Sequence, residues 1–340
     1  MTMAEVAFER IHGALESTRG TAITTPTHSF NLVGLMTPGI NYAEPKESRG
    51  KLRRVFRQKP ARKVNVFTAQ GPVEVNYIAW WLNMAVKAVT SPSTPAGATL
   101  SRLWEFVPSL TADDIKMASL IWDWDIQSLV SDFCALREMT LTNDANVESD
   151  AMMMTINGMG GFPADIAAPS PVTNLGGDIL VGQQMQAWLD TSSAIGTTPM
   201  TNRLIKAEHK ITTGVEPKYL GAGPAAALDY SDIGRNPAAV RCVTKISLET
   251  PDTAEYDHFV AADTVKLRIR HNGDLIETTS GPVNWYNYVE VDTYGVLKFD
   301  GWGENAGGAN RIANFTVESI EDATLASDFR VAVQNARTSL

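Results

Sequence analysis

Alternation of apolar and polar residues runs through most of the chain. Val265-Lys-Leu-Arg-Ile-Arg270 alternates strictly, with Val265, Leu267 and Ile269 on one face and Lys266, Arg268 and Arg270 on the other. The same period of two recurs at Trp122–Ile126, Val243–Glu249, Tyr288–Asp292, Phe315–Ser319 and Phe329–Val333. Clusters of Pro, Gly, Asn and Asp punctuate these runs, among them Asn272-Gly273 and Asn305-Ala-Gly-Gly308. An Asn-Gly pair between alternating runs predicts a hairpin. One segment has the other period. From Glu74 to Val89, apolar residues fall at Val75, Ile78, Ala79, Leu82, Ala85, Val86 and Val89, a helical stripe that Pro72 precedes and Ser91-Pro92 stops. A shorter helix is predicted at Asp252–Ala261. The fold class is mainly β (α+β).

The two halves share an outline. Thr24-Thr-Pro26 is followed by an extended segment, the helix at 74–89 and then strands. Thr197-Thr-Pro199 is followed by a loop-rich segment, the helix at 252–261 and then strands. The two Thr-Thr-Pro motifs lie 173 residues apart and the helix starts 178. This outline predicts a tandem duplication of a β-rich unit with one helix, residues 1–170 and 171–340, joined near Pro163–Gly177. The alternative is chance likeness between β-rich segments. A length of 340 residues fits about two domains.

Charge changes the picture. The chain has 29 Lys/Arg against 38 Asp/Glu, a net of −9. Yet residues 1–70 hold eleven Lys/Arg against five Asp/Glu. Nine of those cations crowd into 46–63: Lys46, Arg49, Lys51, Arg53, Arg54, Arg57, Lys59, Arg62 and Lys63. General nucleic-acid binding is disfavoured by the acidic balance, because sequence-independent affinity comes from neutralising phosphates. A stacking platform would interleave aromatics, and between Glu44 and Val66 there is only Phe56. A solvated loop is the bland reading. A contact with the acidic surface of another copy is the sharper one, since complementary fields fix the register of an assembly. Residues 43–63 lack clean periodicity and read as a long functional loop.

Candidate chemistry is sparse. The five histidines are scattered, and no HExxH, CxxC, GxSxG or P-loop occurs. Glu255 and His258 would be helical neighbours, but a solvated turn explains them better. Gly221-Ala-Gly-Pro-Ala-Ala226 formally fits a dinucleotide fingerprint, yet Pro217 precedes it and Pro224 interrupts it, so it reads as a loop. Asp113-Asp114 and Asp123/Asp125 could offer oxygens to a cation, but no EF-hand loop is present and a solvated polar face explains them better. Cys134 and Cys242 read as small core residues. No catalytic, cofactor or metal site is expected, and so no enzyme. No signal peptide and no apolar run near 18 residues is visible, which predicts a soluble protein made in a cytoplasm.

Ser17-Thr-Arg-Gly-Thr-Ala22, Phe30–Leu35 and Tyr42-Ala-Glu-Pro-Lys-Glu-Ser-Arg-Gly50 open the chain in a recognisable order. Gly71-Pro-Val-Glu74 before a helix, Trp104-Glu-Phe-Val-Pro108 and Ala112-Asp-Asp114 follow. Val289–Phe299, Asn310–Ser319 and Val333-Gln-Asn335 close it. This series resembles the major tail tube proteins of long, non-contractile-tailed bacteriophages along most of the chain, and more weakly over Pro199–Arg241. The resemblance implies β-sandwich or barrel-like units flanked by a helix. Six units close a ring around a continuous inner β-barrel, and rings stack into the channel for genome ejection. Three copies suffice if this chain holds two units. Six are needed if its second half is a decoration domain.

The resemblance also implies an inter-ring loop, placed at 43–63, with Lys46, Arg49, Lys51, Arg53, Arg54, Arg57 and Lys59 as contacts. It implies a channel wall that does not trap DNA, for which Glu290 and Asp292 are the nominated residues. The partners would be other copies, tail-tip and head–tail connector proteins, and tape-measure protein and DNA in the channel. The location would be the virion tail. The rival is a monomeric β-sandwich module that binds carbohydrate on a host surface, with Trp122, Trp124, Trp285 and Trp302 as stacking candidates, although tryptophan in alternating strands is usually core.

Overall fold

The computed structural model describes residues 10–44, 58–109, 114–124, 127–146, 151–170, 172, 177–191, 194–221, 229–236, 239–249, 254–279, 283–304, 311–322 and 326–340. Strands dominate, as the alternation predicts. The first half contributes β1 (Arg10–Leu15), β2 (His28–Phe30), β3 (Val33–Ala43), β4 (Lys59–Pro72), α1 (Val75–Ala85), β5 (Arg102–Phe106), β6 (Ala118–Trp124), β7 (Gln127–Asp144), β8 (Met153–Met159) and β9 (Ala164–Ile166). The second half contributes β10 (Met185–Asp190), β11 (Leu204–Thr212), β12 (Val215–Lys218), β13 (Asp232–Arg235), β14 (Arg241–Glu249), α2 (Ala254–Val260), β15 (Thr264–Thr278), β16 (Asn284–Glu304), β17 (Arg311–Glu318) and β18 (Phe329–Asn335).

All named pairings are antiparallel. An eight-stranded sheet runs β3-β4-β8-β7-β11-β14-β17-β16. Only the later parts of β7 and β16 belong to it. The earlier part of β7 lies in a second sheet, β2-β1-β6-β7-β9. The earlier part of β16 lies in a third, β10-β15-β16-β18-β5. Two long strands therefore bend from one layer into another. The bend in β7 falls at Phe133, whose φ is +50°. The buried Glu16 carboxylate holds it by accepting the Phe133 N–H at 2.7 Å.

The main core gathers around α1. Trp80, Trp81, Ile78 and Leu82 are essentially inaccessible and meet Ile11, Phe67, Trp122, Val289, Phe329 and Val333. Both halves supply that cluster, and β5 of the first half pairs with β18 of the second. A second core fills the gap between β10 and β15 on one side and β11, β14 and β17 on the other, with Leu267, Ile269, Ile246 and Phe315 at its centre. Helix α1 ends at Ala85, earlier than the stripe predicts, because Val86 leaves helical geometry. Buried Asn83 seals the end: its amide donates to Ala79 O at 2.9 Å and its Oδ1 accepts from Val89 N at 2.6 Å.

Three expectations are corrected. Asn272-Gly273 makes no hairpin: β15 runs straight through it with register shifts beyond Asn272. A glycine is needed there because a Cβ on Gly273 would collide with Asp178, whose carboxylate accepts the Asp274 N–H. Lys59–Lys63 are not loop but the start of β4, paired with β3 through Ile40↔Lys63. The segment after Pro199 is not loop-rich throughout. It holds β11, where Ile205, Ala207, His209 and Ile211 face inward.

Candidate assembly edges and the charged faces

Among the described residues, the eight-stranded sheet ends in two strands paired on one side: strand β3 pairs with β4 alone, and residues 297–304 of β16 pair with β17 alone. Apolar side chains sit exposed at both ends. Val33, Leu35, Ile40 and Tyr42 line β3 at 57, 68, 38 and 51% exposure. At the far end Trp302 is 54% exposed, beside Tyr256 of α2, and Val260 of the same helix is exposed as well. Trp302, Phe299, Tyr256 and Phe259 form one aromatic cluster with centroid separations of 5.3 to 6.4 Å. Open strand edges with apolar margins are templates for further pairing.

The face of this sheet away from the core carries interleaved charges from β7 to β16, and exposed Val33, Leu35, Val66 and Met153 towards β3. Lys210 pairs with Glu138 at 2.7 Å, Lys298 with Glu318 at 2.9 Å, Lys206 with Asp144 at 3.7 Å and Lys245 with Glu208 at 3.8 Å. Towards β3 the same face carries uncharged Thr68, Gln70, Thr155 and Asn157. Such a surface offers phosphate few unmatched cations.

Glu290 and Asp292 lie elsewhere, on the outer face of the third sheet, and neither is open to solvent. Exposure is 2% and 1%. Arg268 donates through Nε and Nη2 to the two oxygens of Asp292, at 2.7 and 2.9 Å. Arg270 donates to Glu290 at 2.7 Å. Arg330 bridges both acids and also reaches Glu105 at 2.6 Å. Burial alone would lower the Arg268 and Arg330 pKa values, but the facing carboxylates hold both above the ordinary arginine value. This network is a locked structural cluster, and the strand presents arginine rather than bare carboxylate outward.

The basic contacts Lys46, Arg49, Lys51, Arg53, Arg54 and Arg57 lie outside the described residues. Lys59 is exposed at the start of β4. Arg62 stacks over Tyr219 at 4.7 Å and Lys63 over Phe162 at 4.8 Å, which ties the base of this segment to the body. Of the four tryptophans named for sugar stacking, Trp122 is fully buried, Trp124 and Trp285 are partly buried, and only Trp302 is exposed. An open groove of about 640 Å³ does contain Trp188 and Tyr286, but Arg270 lies over the Trp188 ring at 5.6 Å and occupies that face.

Enzyme chemistry finds no foothold in the nominated pair. Glu255 is buried against Arg203 at 2.6 Å, and His258 pairs with Asp263 at 2.9 Å, so the two serve different partners. Both cysteines are buried, and burial pushes their thiols up to about 12, away from reactivity. Among the described residues no three His, Cys, Asp or Glu gather as metal ligands, and no helix is long and apolar enough to cross a membrane. The fingerprint-like Gly221–Ala226 falls mostly outside the described residues. No protein-family model and no curated protein sequence matches the chain.

Sequence reasoning missed a buried pair. His209 on β11 and His271 on β15 meet Nε2 to Nε2 at 3.1 Å with no solvent exposure. Asn143 donates to His271 Nδ1 at 3.0 Å, so His271 Nε2–H donates to His209, and His209 Nδ1–H donates to Thr244 at 3.1 Å. Thr244 and Thr293 continue the relay at 2.7 Å. Burial depresses both imidazole pKa values, His271 to about 3 and His209 well below its ordinary value, where the neighbouring ring adds to the effect. The only signal was a histidine within an alternating run, at an inward position of β11.

Proposed function

We propose that this chain is a structural subunit that assembles with its own kind into rings stacked as a bacteriophage tail tube. What carries the reading is a repeated order of strand pairing in the two halves. In the first half β3 pairs β4, β4 pairs β8, β8 pairs β7 and β7 pairs β6. In the second, β11 pairs β14, β14 pairs β17, β17 pairs β16 and β16 pairs β15. The registers agree as well. Leu35↔Thr68 through Asn41↔Arg62 correspond to Lys206↔Ser247 through Thr212↔Arg241. Each half places its helix after the second of these strands, at Val75 and Ala254. Each has an acid at a strand end that gathers the following loop: Glu16 accepts from Gly20 N, and Asp190 from Gly196, Thr197 and Thr198 N.

On this reading the chain is a tandem pair of tube units. Three copies then supply six pseudo-equivalent positions. The eight-stranded sheet is each copy's share of the inner barrel, and its charge-paired face lines the channel. That replaces Glu290 and Asp292 as wall residues. A barrel has no open edges, which accounts for two edges that would invite aggregation in a monomer. Stacking is assigned to residues 43–63.

The test is sedimentation or light scattering of purified protein. A species of three times the 36.9 kDa chain mass, or higher assemblies built from it, is expected. A strictly monomeric protein at all concentrations would overturn the reading and favour a solitary binding module.

A further inference from the structure

The chain already contains one junction between its halves: β7 of the first half pairs with β11 of the second through Glu138↔Thr212 to Asp144↔Lys206. We infer that this internal seam is the template for the contact between copies, so that residues 301–304 of β16 in one copy pair antiparallel with 38–41 of β3 in the next, Ile40 opposite Trp302. The inference rests on the tube reading and specifies which surfaces meet and in what register.

The correspondence follows from pairing alone. A single-residue bulge interrupts β7–β8 between Leu136 and Glu138, and another interrupts β16–β17 between Phe299 and Gly301. Arg137 therefore matches Asp300, and Met139 matches Trp302. On the other strand, Ile40↔Lys63 matches Ile211↔Cys242, so Ile40 matches Ile211. Inside the chain Ile211 sits opposite Met139, and both have no exposure. Their counterparts Ile40 and Trp302 are 38% and 54% exposed. Residues that the internal seam buries are apolar and uncovered at the two free edges.

The helices repeat the argument. Helix α1 packs on its own β7 and β5 and is also covered by β18 and β16 from across the seam. Helix α2 packs on β16 and leaves Tyr256 and Val260 uncovered, at 40% and 67% exposure. A second copy placed by the β3 edge would cover this margin. Gly39 falls opposite Gly303 in the same register, so no side chain obstructs the approach on the face away from the core. The two edges are unlike, so the contact joins different surfaces of neighbouring copies. The contact is head to tail, so each copy leaves a free edge for the next, and on the tube reading the series closes as a ring.

The experiment uses full-length Ile40→Cys/Trp302→Cys protein, oxidised gently after assembly and run on non-reducing gels. The two positions lie at opposite ends of eight strands spaced about 4.8 Å apart, too far for a bond within one chain. Covalent oligomers up to a closed ring are expected, with little from the offset pair Tyr42→Cys/Trp302→Cys and none beyond dimer from either single variant. Ile40→Asp, at an exposed site, should keep its far-ultraviolet circular dichroism and lose ring formation. Rings visible by electron microscopy without the Ile40–Trp302 cross-link, or rings formed by Ile40→Asp, would overturn this seam and leave the tube reading standing. Absence of any assembly by the unmodified protein would overturn both.

Discussion

The His209–His271 pair makes folding of this chain sensitive to mild acid. Both rings are buried and neutral, with their nitrogens committed to a one-way relay from Asn143 to Thr244. Protonating either ring places a cation beside the other with no acid partner, so both titrate below the ordinary value of 6.5 when folded, His271 at about 3. The unfolded chain binds these protons first. Stability from the pair is therefore complete above about pH 6.5 and declines as pH falls towards the folded values. For His271 each unit of pH in that window costs up to about 1.4 kcal/mol, or about 2 kcal/mol between neutral pH and about pH 5, and His209 adds to the loss in the same direction. That is a large fraction of the ~5–15 kcal/mol typical of domains. His28 and His12, also depressed by burial, act in the same direction. Chemical denaturation of the unassembled subunit at several pH values reads the slope. A His209→Gln/His271→Gln variant isolates the pair, whatever its absolute stability. The slope should drop by up to about one proton near pH 6.5, rising towards two near pH 5. An unchanged slope in the variant would refute the reasoning.

Other outcomes follow from the same structure. Trp80→Ala empties the centre of the main core, where the side chain is 0% exposed, and should cost about 3–5 kcal/mol in denaturant midpoint analysis. Arg330→Met removes the bridge over Glu290 and Asp292 and leaves two buried carboxylates with fewer partners; a loss of about 3–5 kcal/mol is expected. Arg268→Met combined with it should cost more than the sum of the single losses in a double-mutant cycle, because either arginine alone still pairs the buried Asp292. Arg53→Glu/Arg54→Glu should leave the subunit folded by circular dichroism and its rings intact, while blocking their stacking. Normal tubes from that protein would remove the role assigned to residues 43–63.

How far the sequence could be read depends on the range of the interactions involved. Helix α1 was legible because its stripe, Pro72 and Ser91-Pro92 are all local, and β15 because Val265–Arg270 alternates without interruption. The spacings of the Thr-Thr-Pro motifs and helices, 173 and 178 residues, lie near the offsets of the proposed strand correspondence, 171 at Ile40/Ile211 and 179 at Lys63/Cys242. Strand β11 escaped notice because Ala207 and His209 dilute its inward face, and His209 is apolar in behaviour only because His271 completes it. Glu290 and Asp292 looked like an open acidic strand because the arginines that bury them come from β15 and β18. Asn272-Gly273 looked like a turn, and only the approach of Asp178, distant in sequence, explains its place within a strand. Trp302 was noticed as an aromatic, but its value lies in being at a sheet edge, which is a property of pairing rather than of pattern.

The central claim is that the two open edges of the eight-stranded sheet join copies into rings that stack. Negative-stain electron microscopy of the concentrated, purified protein tests it most directly. Hollow tubes, with end-on views of rings built from three copies and six similar lobes, are the expected result. Dispersed single particles at every concentration would contradict it.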